Sequence, residues 1–477
     1  MIPTFQDYLN VAPIIIVSAT ALLEIVFQII FKGFKKYVNI FSILGLLISI
    51  YFAIINFDKV SMSFSNMVFS GKYASFFEIL FCIIGILTIL QSSTIQKYYS
   101  INKIEYNVLI LISIVGMMVM SAGADLISIF IGLEIMSICF YVLAGFARNQ
   151  IIANEASLKY FLLGAFATGF LLYGIALIYG TVGTTNIIKI AQHYPIALSL
   201  DLHLLGLILL LIGLAFKVAL VPFHMWQPDV YEGAITNVSG LMASGGKTAA
   251  FASFLLIFSI PLAAGNNNLI EIVSVLAALS MIVGNIFGLV QQNIKRMLAY
   301  SSIAHTGYIL VGIIATNNFG NHGALFYLVV YSITSVGAFG VASILENEFG
   351  KNLNINDYSG LSQKNKFLAF AMSVFMFSLI GIPPFAGFVG KYYLFAAAIQ
   401  RDLTWLVILG VLTSIVSLYY YLRLIVYMYF RDPENQNNII VTNDFKIAIS
   451  FSTIVVILFG IYPSSLFSVI RYIFNIY

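Results

Sequence analysis

The feature that most constrains the fold is a succession of apolar runs, each about 20 residues long, over nearly the whole chain. A run of that length forms a helix that can cross the hydrocarbon core of a bilayer, and reading along the sequence gives about fourteen. Short loops separate them, and none is polar enough to form a separate soluble domain. The sequence therefore predicts an all-α polytopic membrane protein.

Composition supports this class and excludes others. Hydrophobic residues make up 61% of the chain and charged residues only 9%, against about 25% in soluble domains. A scattered net charge of +4 does not suggest nucleic-acid binding. Cys82 and Cys139 lie in separate apolar runs, which supports neither a disulfide framework nor a cysteine metal site. The N-terminus lacks a signal-peptide pattern, so its first run is expected to be retained.

Basic residues predict the orientation. Loops after odd-numbered runs hold fourteen lysines and arginines, and loops on the opposite side hold five. Because cytoplasmic loops are enriched in lysine and arginine, both termini are predicted to lie outside the cytoplasm. In a bacterium this would be the periplasmic side of the inner membrane.

Two runs contain prolines that predict broken helices. The seventh, residues 203–226, contains Pro222, and the twelfth, 367–396, contains Pro383 and Pro384. Proline removes a backbone donor, which is tolerated at membrane depth where the freed groups are buried or line a wet cavity. The two runs are five apart and cross in opposite directions.

That arrangement is typical of two inverted five-helix repeats. It predicts a division into an N-terminal three-helix segment, a first repeat, a second repeat and a C-terminal helix, over residues 1–105, 106–260, 261–430 and 431–477 respectively.

Lys247, in the stretch SGGKTAAF, lies inside an apolar run. A phosphate-binding loop would need glycine at position 241, which is leucine. The lysine is eleven residues from the start of its run, about 16 Å along a helix. A charge at such depth costs at least about 2.5 kcal/mol, so it must face protein, water or a counter-ion. Burial disfavours the charged form of a lysine, which favours a proton-carrying role over a structural ion pair.

Lys217 and Lys391 lie in the two proline-containing runs, and Glu134 is the carboxylate best placed as their partner. Three buried lysines, two of them beside helix breaks, indicate a path for protons. The alternative is a static bridge between Glu134 and Lys217. A second tier of candidates carries less weight and comprises Lys159, His224, Lys295, Tyr300 and His305. Lys159 could reach the membrane surface, Lys295 is expected at the interface, and His305 is suited to a hydrogen-bond relay.

No pattern indicates redox chemistry inside the chain. Paired haem histidines, a cysteine cluster for iron and sulfur, and a nucleotide fingerprint after a strand are all missing from the sequence. We therefore expect no cofactor and no metal ion to be bound by this chain, and the residues favour a transporter of protons or small cations.

Long motifs then point to a family. The stretches GLEIMSICFYVLAGF, EASLKYFLLGAFATGFLLYGIALIYGTVGT, FKVALVPFHMWQPDVYEGAITNVSGLMASGGKTAAF and NIKRMLAYSSIAHTGYILVGI closely resemble the antiporter-like membrane subunits of respiratory complex I, the bacterial NADH-quinone oxidoreductase. A lysine in the twelfth run and no long lateral helix after the fourteenth favour the subunit N branch.

The resemblance implies fourteen helices with two inverted repeats and a hydrated proton path through Glu134, Lys217, Lys247 and Lys391. It gives weight to the second-tier residues. It also implies partners, namely the other membrane and peripheral subunits of complex I, which would hold NADH, flavin, iron–sulfur clusters and quinone.

Two alternatives stay open. Subunits of multisubunit cation/proton antiporters and membrane-bound hydrogenases resemble the same core. A structural scaffold, whose buried charges only fix helix register, is disfavoured because buried ion pairs are a costly way to obtain order.

Overall fold

The computed structural model describes residues 3–31, 33–98, 103–197, 201–346, 353–433, 439 and 441–474. Within these ranges the fold is built almost wholly from helices. The helices of the first half are α1 Phe5–Asn10, α2 Ala12–Ile30, α3 Val38–Asn56, α4 Lys72–Tyr98, α5 Lys103–Ala122, α6 Leu126–Ala144, α7 Ile151–Val182, α8 Ile187–Ala197, α9 Asp201–Val218, α10 Trp226–Gly233, α11 Thr236–Leu241 and α12 Lys247–Ala263.

The second half continues the same construction. Its helices are α13 Asn267–Val290, α14 Ile294–Ile314, α15 Asn318–Leu345, α16 Leu361–Lys364, α17 Lys366–Ile380, α18 Ala386–Ile399, α19 Thr404–Phe430, α20 Asn443–Ile461 and α21 Ser464–Phe474. In the described part of the chain, three short helical segments are of other types: 3₁₀ turns at Phe34–Lys36 and Ile355–Tyr358, and a π-helical turn at Met242–Gly246. A small antiparallel hairpin pairs β1, Ser61–Ser63, with β2, Val68–Ser70.

Thirteen of the described helical segments are long and apolar enough to cross a membrane. The short apolar helices α17 and α18 together supply the remaining predicted crossing. The prediction of an all-helical polytopic membrane protein is confirmed. The C-terminal helix predicted within residues 431–477 is divided in the structure, because α20 ends at Ile461 and Pro463, which has no backbone N–H, separates it from α21.

Asparagine side chains fix where several helices begin. Each accepts a hydrogen bond from a backbone N–H of the first turn, which would otherwise have no partner inside the helix. The caps of α13, α14, α15 and α17 are Asn266, Asn293, Asn317 and Asn365. Apolar runs that look continuous in the sequence are thereby divided at defined residues.

Helices α14 and α15 form the centre of the molecule. Buried residues run without interruption from Gly323 to Leu345 in α15 and from Ser301 to Ile314 in α14. Outer helices show the opposite pattern, with exposed side chains such as Leu22 of α2, Phe166 of α7 and Ile415 of α19. Apolar side chains exposed on the rim and polar groups enclosed within are what a bilayer requires.

Glycines allow neighbouring helices to approach closely. A Cβ atom at Gly132 of α6 would lie 2.7 Å from the backbone nitrogen of Met120 in α5, and one at Gly206 of α9 would lie 3.0 Å from the Ile178 side chain in α7. Small residues at helix contacts are the usual solution in membranes, where packing has to replace the hydrophobic drive. These contacts hold the helices that carry the polar residues described next.

Candidate functional site: a row of buried lysines

Three lysines lie in the interior at the exposures expected of core residues. Lys217 is 6% exposed, Lys247 is 1% exposed and Lys391 is 5% exposed. None of the three forms an ion pair with a described acidic residue. Their ammonium groups are held instead by hydroxyl and carbonyl oxygens, so each has neutral partners only.

Both proline-containing runs are broken as predicted. Helix α9 ends at Val218, one residue after Lys217, and Ala219 takes a left-handed φ of 56°. Residues 219–225, with Pro222 among them, separate α9 from α10. Helix α17 ends at Ile380 and is followed by Gly381, with φ of 87°, before Pro383, Pro384 and α18. Helices α9 and α17 therefore end within their runs, and the last carbonyl groups of each have no partner inside the helix.

Lys217 is held by one face of α6. Its Nζ donates to Ser137 Oγ at 2.7 Å and to Tyr141 Oη at 3.2 Å. Glu134 precedes Ser137 by one helical turn on α6, so the three residues share a face. The Glu134 carboxylate accepts from Thr168 Oγ1 of α7 at 2.8 Å and forms no direct ion pair with Lys217.

Lys247 is the first residue of α12 and directly follows the π-helical turn Met242–Gly246. The two glycines before it, which imitate a phosphate loop in the sequence, have a packing role. A Cβ atom at Gly245 would lie 2.8 Å from Met117 Sδ, and one at Gly246 would lie 2.6 Å from the Phe140 ring. π-helical turns are frequent at functional sites.

The ammonium group of Lys247 reaches α14. Its Nζ donates to the carbonyl oxygen of Ser302 at 3.0 Å, to Ser302 Oγ at 2.5 Å and to Thr306 Oγ1 at 2.9 Å. The Thr306 hydroxyl in turn donates to the carbonyl oxygen of Val218 at 3.0 Å. Val218 ends the helix that carries Lys217, so one hydroxyl links the first helix break to the central lysine.

The next turns of α14 lead toward the second break. His305 Nδ1 is 2.6 Å from Tyr327 Oη, and His305 Nε2 is 3.2 Å from Tyr421 Oη. The Tyr421 hydroxyl also forms a hydrogen bond with Ser301 Oγ. The rings of His305 and Tyr308 are 5.5 Å apart between centroids. Imidazole and phenol groups can both donate and accept hydrogen bonds, so the donor and acceptor roles along this cluster can be reversed.

Lys391 completes the row from α18. Its Nζ donates to the carbonyl oxygens of Leu379 and Ile380 at 3.1 and 3.0 Å, and to Ser414 Oγ at 3.3 Å. It also lies 4.5 Å from the centroid of the Tyr308 ring. Leu379 and Ile380 end α17, and a cation is stabilised by the free carbonyls and the negative dipole end of a helix.

The second-tier residues are distributed between the interior and the edge. Lys295 is fully buried within the protein, where its Nζ donates to the Ala234 carbonyl oxygen at 2.6 Å and lies 3.9 Å from Glu346 Oε1. It is the second residue of α14, so its position near the membrane interface stays a prediction. His224 is half-buried in the loop after α9, and Tyr300 stacks on Phe287 with ring centroids 5.7 Å apart.

Lys159 belongs to a peripheral ion cluster. Its side chain is 43% exposed and pairs with Glu155 at 2.7 Å and Asp229 at 3.1 Å. Arg296 joins Asp229 at 2.8 Å and Glu232 at 2.7 Å. Burial raises the pKa of the Asp229 carboxyl, but hydrogen bonds from Arg296 and Lys159 outweigh it and hold that pKa below its usual value. The cluster fixes α10 just after the first break.

Several polar residues of the site were not predicted from the sequence. Ser302 and Thr306, which hold Lys247, are not recognisable in the sequence as its partners. Glu346, Asp229 and Glu232 are further polar residues that the sequence analysis does not identify. Asp229 and Glu232 do carry a signal, because residues three apart share a helical face. Glu346 carries none, since its contact with Lys295 joins segments fifty-one positions apart in the chain. Among the described residues no group of histidines, cysteines and carboxylates could hold a metal ion.

Comparison with known proteins decides the family. Residues 123–417 match the family described as "NADH:quinone oxidoreductase/Mrp antiporter, TM". A curated relative from Trichlorobacter lovleyi, NADH-quinone oxidoreductase subunit N, is 47% identical over 84% of this chain and 83% of its own length. The chain belongs to this family. A second family member, subunit N 1 of Chloroherpeton thalassium, is 43% identical over 97% of both chains.

A solved structure of the family has the same fold. A chain of respiratory complex I from Thermus thermophilus is 31% identical to this one, with a TM-score of 0.81, and the match covers 96% of this chain and 98% of that one. The fold that holds the buried lysines is therefore shared with that chain over nearly its whole length.

Proposed function

We propose that the chain is a proton-translocating membrane subunit of an NADH-quinone oxidoreductase. NADH oxidation and quinone reduction would take place in other subunits, which would hold flavin and iron–sulfur clusters. The single observation that carries the proposal is the position of Lys247. It is held between the two helix breaks by Ser302 and Thr306, and none of its partners is a carboxylate.

Neutral partners favour proton exchange over a static role. A buried lysine whose only purpose were structural would be expected to have a paired acid, because an unpaired charge in an apolar interior is costly. Hydroxyl oxygens can accept a hydrogen bond from an ammonium group or donate one to a neutral amine. Lys217, Lys247 and Lys391 are each bound in this way by at least one hydroxyl group.

Glu134 is proposed as the input. It shares a face of α6 with Ser137 and Tyr141, both of which bind Lys217. In the structure its carboxylate is bound to Thr168. A signal from quinone reduction would move Glu134 toward Lys217 and raise the proton affinity of that lysine. When Glu134 moved back, the proton affinity of Lys217 would fall again. Lys247 and then Lys391 would exchange protons in turn.

The remaining architecture is proposed on the same basis. The division into residues 1–105, 106–260, 261–430 and 431–477 would correspond to three leading helices, two inverted repeats and a last helix. The chain would lie in the bacterial inner membrane with both termini on the periplasmic side, next to the other membrane subunits and the peripheral subunits of complex I.

The experiment is to purify the chain with its native partners, reconstitute the complex into liposomes, and follow NADH oxidation, quinone reduction and internal pH together. Acidification that stops when NADH is exhausted is the expected result. A pH change driven by a sodium gradient without NADH would instead support the alternative, a cation/proton antiporter subunit. The matching family includes Mrp antiporters, which is the reason for testing this alternative.

A further inference from the structure

A buried carboxyl group lies outside the lysine row, in the N-terminal helices. Glu24 of α2 is fully buried, although α2 as a whole faces outward. It precedes the last residue of α2 by six positions, about 9 Å along the helix. Nothing in the proposed path through Lys217, Lys247 and Lys391 uses this residue.

Glu24 is enclosed by three helices. Its Oε1 accepts a hydrogen bond from Ser42 Oγ of α3. Asn107 Nδ2 of α5 donates to the same Ser42 oxygen at 2.9 Å and to Asn39 Oδ1 at 3.0 Å. Two buried acceptors of this cluster, Glu24 Oε2 and Asn107 Oδ1, have no donor among the described residues. Buried polar atoms are normally paired, and a proton bound by the carboxyl group would turn Oε2 from an acceptor into a donor.

Among the residues that the structure describes, no cation forms an ion pair with the carboxyl group. Of the described charged side chains on the elements packed against α2, Lys35, Lys36 and Glu105 are exposed at the helix ends. Tyr106 of α5 is directed elsewhere, since its hydroxyl donates to Asn237 Oδ1 at 2.9 Å, and Tyr51 of α3 is exposed. An ionised carboxylate without a partner in an apolar interior is strongly disfavoured, so the neutral acid is the form that fits this site.

The cluster also has a way out. Asn39 is the second residue of α3 and is half-buried, so the line from Glu24 through Ser42 and Asn107 ends at the surface. We propose that Glu24 is a proton-binding carboxylic acid that exchanges with the aqueous phase at the membrane end where α2 stops, separately from the lysine row. The ligand is a proton, and the Asn39, Ser42 and Asn107 side chains orient the carboxyl group that takes it.

The proposal predicts a specific chemical reactivity. Dicyclohexylcarbodiimide partitions into membranes and reacts with protonated carboxyl groups. The carboxyl proton transfers to a carbodiimide nitrogen, the carboxylate oxygen bonds to the central carbon, and the acyl group then shifts to nitrogen, giving a stable N-acylurea. The whole reagent is retained and no oxidant is needed. Leu22, Leu23 and Ile25, which flank Glu24, are exposed to the lipid side.

The experiment is to treat the intact complex in liposomes with this reagent over a series of buffers and to map the adduct by mass spectrometry. We expect an adduct on Glu24 whose rate of formation falls about tenfold per pH unit once the acid has lost its proton. Sodium at constant ionic strength is expected to leave the rate unchanged. The measurement needs no variant, so it does not depend on any mutant folding.

Two controls make the result specific. Glu24→Gln should remove the adduct from that peptide, whereas Glu78→Gln, which alters another buried carboxyl on α4, should leave it. No adduct at any pH, or an adduct whose rate ignores pH, would show a sealed structural carboxyl and overturn the proposal. Protection by sodium would overturn it as well, by showing a metal-cation site. NADH-driven pumping is not the readout, so the outcome is independent of the function proposed above.

Discussion

Lys217 and Lys391 stand on opposite sides of their helix breaks. Lys217 precedes its break and donates to side-chain hydroxyls of Ser137 and Tyr141 on a different helix. Lys391 follows its break and donates mainly to the backbone carbonyls of Leu379 and Ile380, which end the preceding half-helix. The first lysine is therefore adjustable by movement of α6, which also carries Glu134. The second is tied to the backbone of the break itself.

The largest expected effect comes from replacing either lysine by arginine. Arginine keeps the positive charge but does not release its proton in proteins. We expect Lys217→Arg and Lys391→Arg each to lower protons pumped per NADH oxidised by about tenfold or more, since positioned proton transfer contributes at least that much. Complex assembly, checked by gel filtration, should be retained. Normal pumping in either assembled variant would show that the lysine acts only as a fixed charge.

A smaller effect sharpens the difference between the two lysines. Removing a hydrogen bond to a charged group costs about 1.5–3 kcal/mol, so we expect Ser137→Ala to slow pumping by about tenfold. Ser414→Ala removes only the longest contact of Lys391, at 3.3 Å, and leaves two carbonyl partners. Its effect should stay below about twofold. Equal losses in the two variants would contradict the distinction drawn between hydroxyl and backbone anchoring.

The smallest effect concerns the breaks themselves. Gly381 has φ of 87°, and a Cβ atom there would lie 3.0 Å from Lys391 Cδ. We expect Gly381→Ala to destabilise the protein by about 1–2 kcal/mol, because side chains disfavour this conformation. Ala219 already has φ of 56° at the first break. In Ala219→Gly, relief of strain and loss of a buried methyl group should cancel to within about 1 kcal/mol.

The stability of both variants is measured by heating the purified complex and monitoring the loss of the subunit from the assembly. A Gly381→Ala protein as stable as Ala219→Gly would mean that the two breaks are equivalent after all.

Much of the fold could be predicted from the sequence because a bilayer leaves few options. Apolar runs of sufficient length must be helices, and Pro222, Pro383 and Pro384 marked the two runs that are not continuous. Helix ends were less predictable. The seventh run stays apolar past Val218, and only the packed structure shows Ala219 leaving the helix.

The candidate site divides in the same way. Lysines were recognisable because a charge in an apolar run is conspicuous. Their partners were not, since serine and threonine occur throughout such helices and give no sign of which ammonium group they meet. Lys295 and Glu24 illustrate the limit: the partners that explain their burial, Glu346 and Ser42, come from other helices, and sequence separation conceals both contacts.

The most direct test of the central claim is made at Lys247, where the two halves of the row meet. Lys247→Ala should leave the complex assembled and NADH oxidation measurable, while acidification of reconstituted liposomes falls by most of its wild-type extent per NADH oxidised. Wild-type acidification per NADH in an assembled Lys247→Ala complex would contradict a proton path through this lysine.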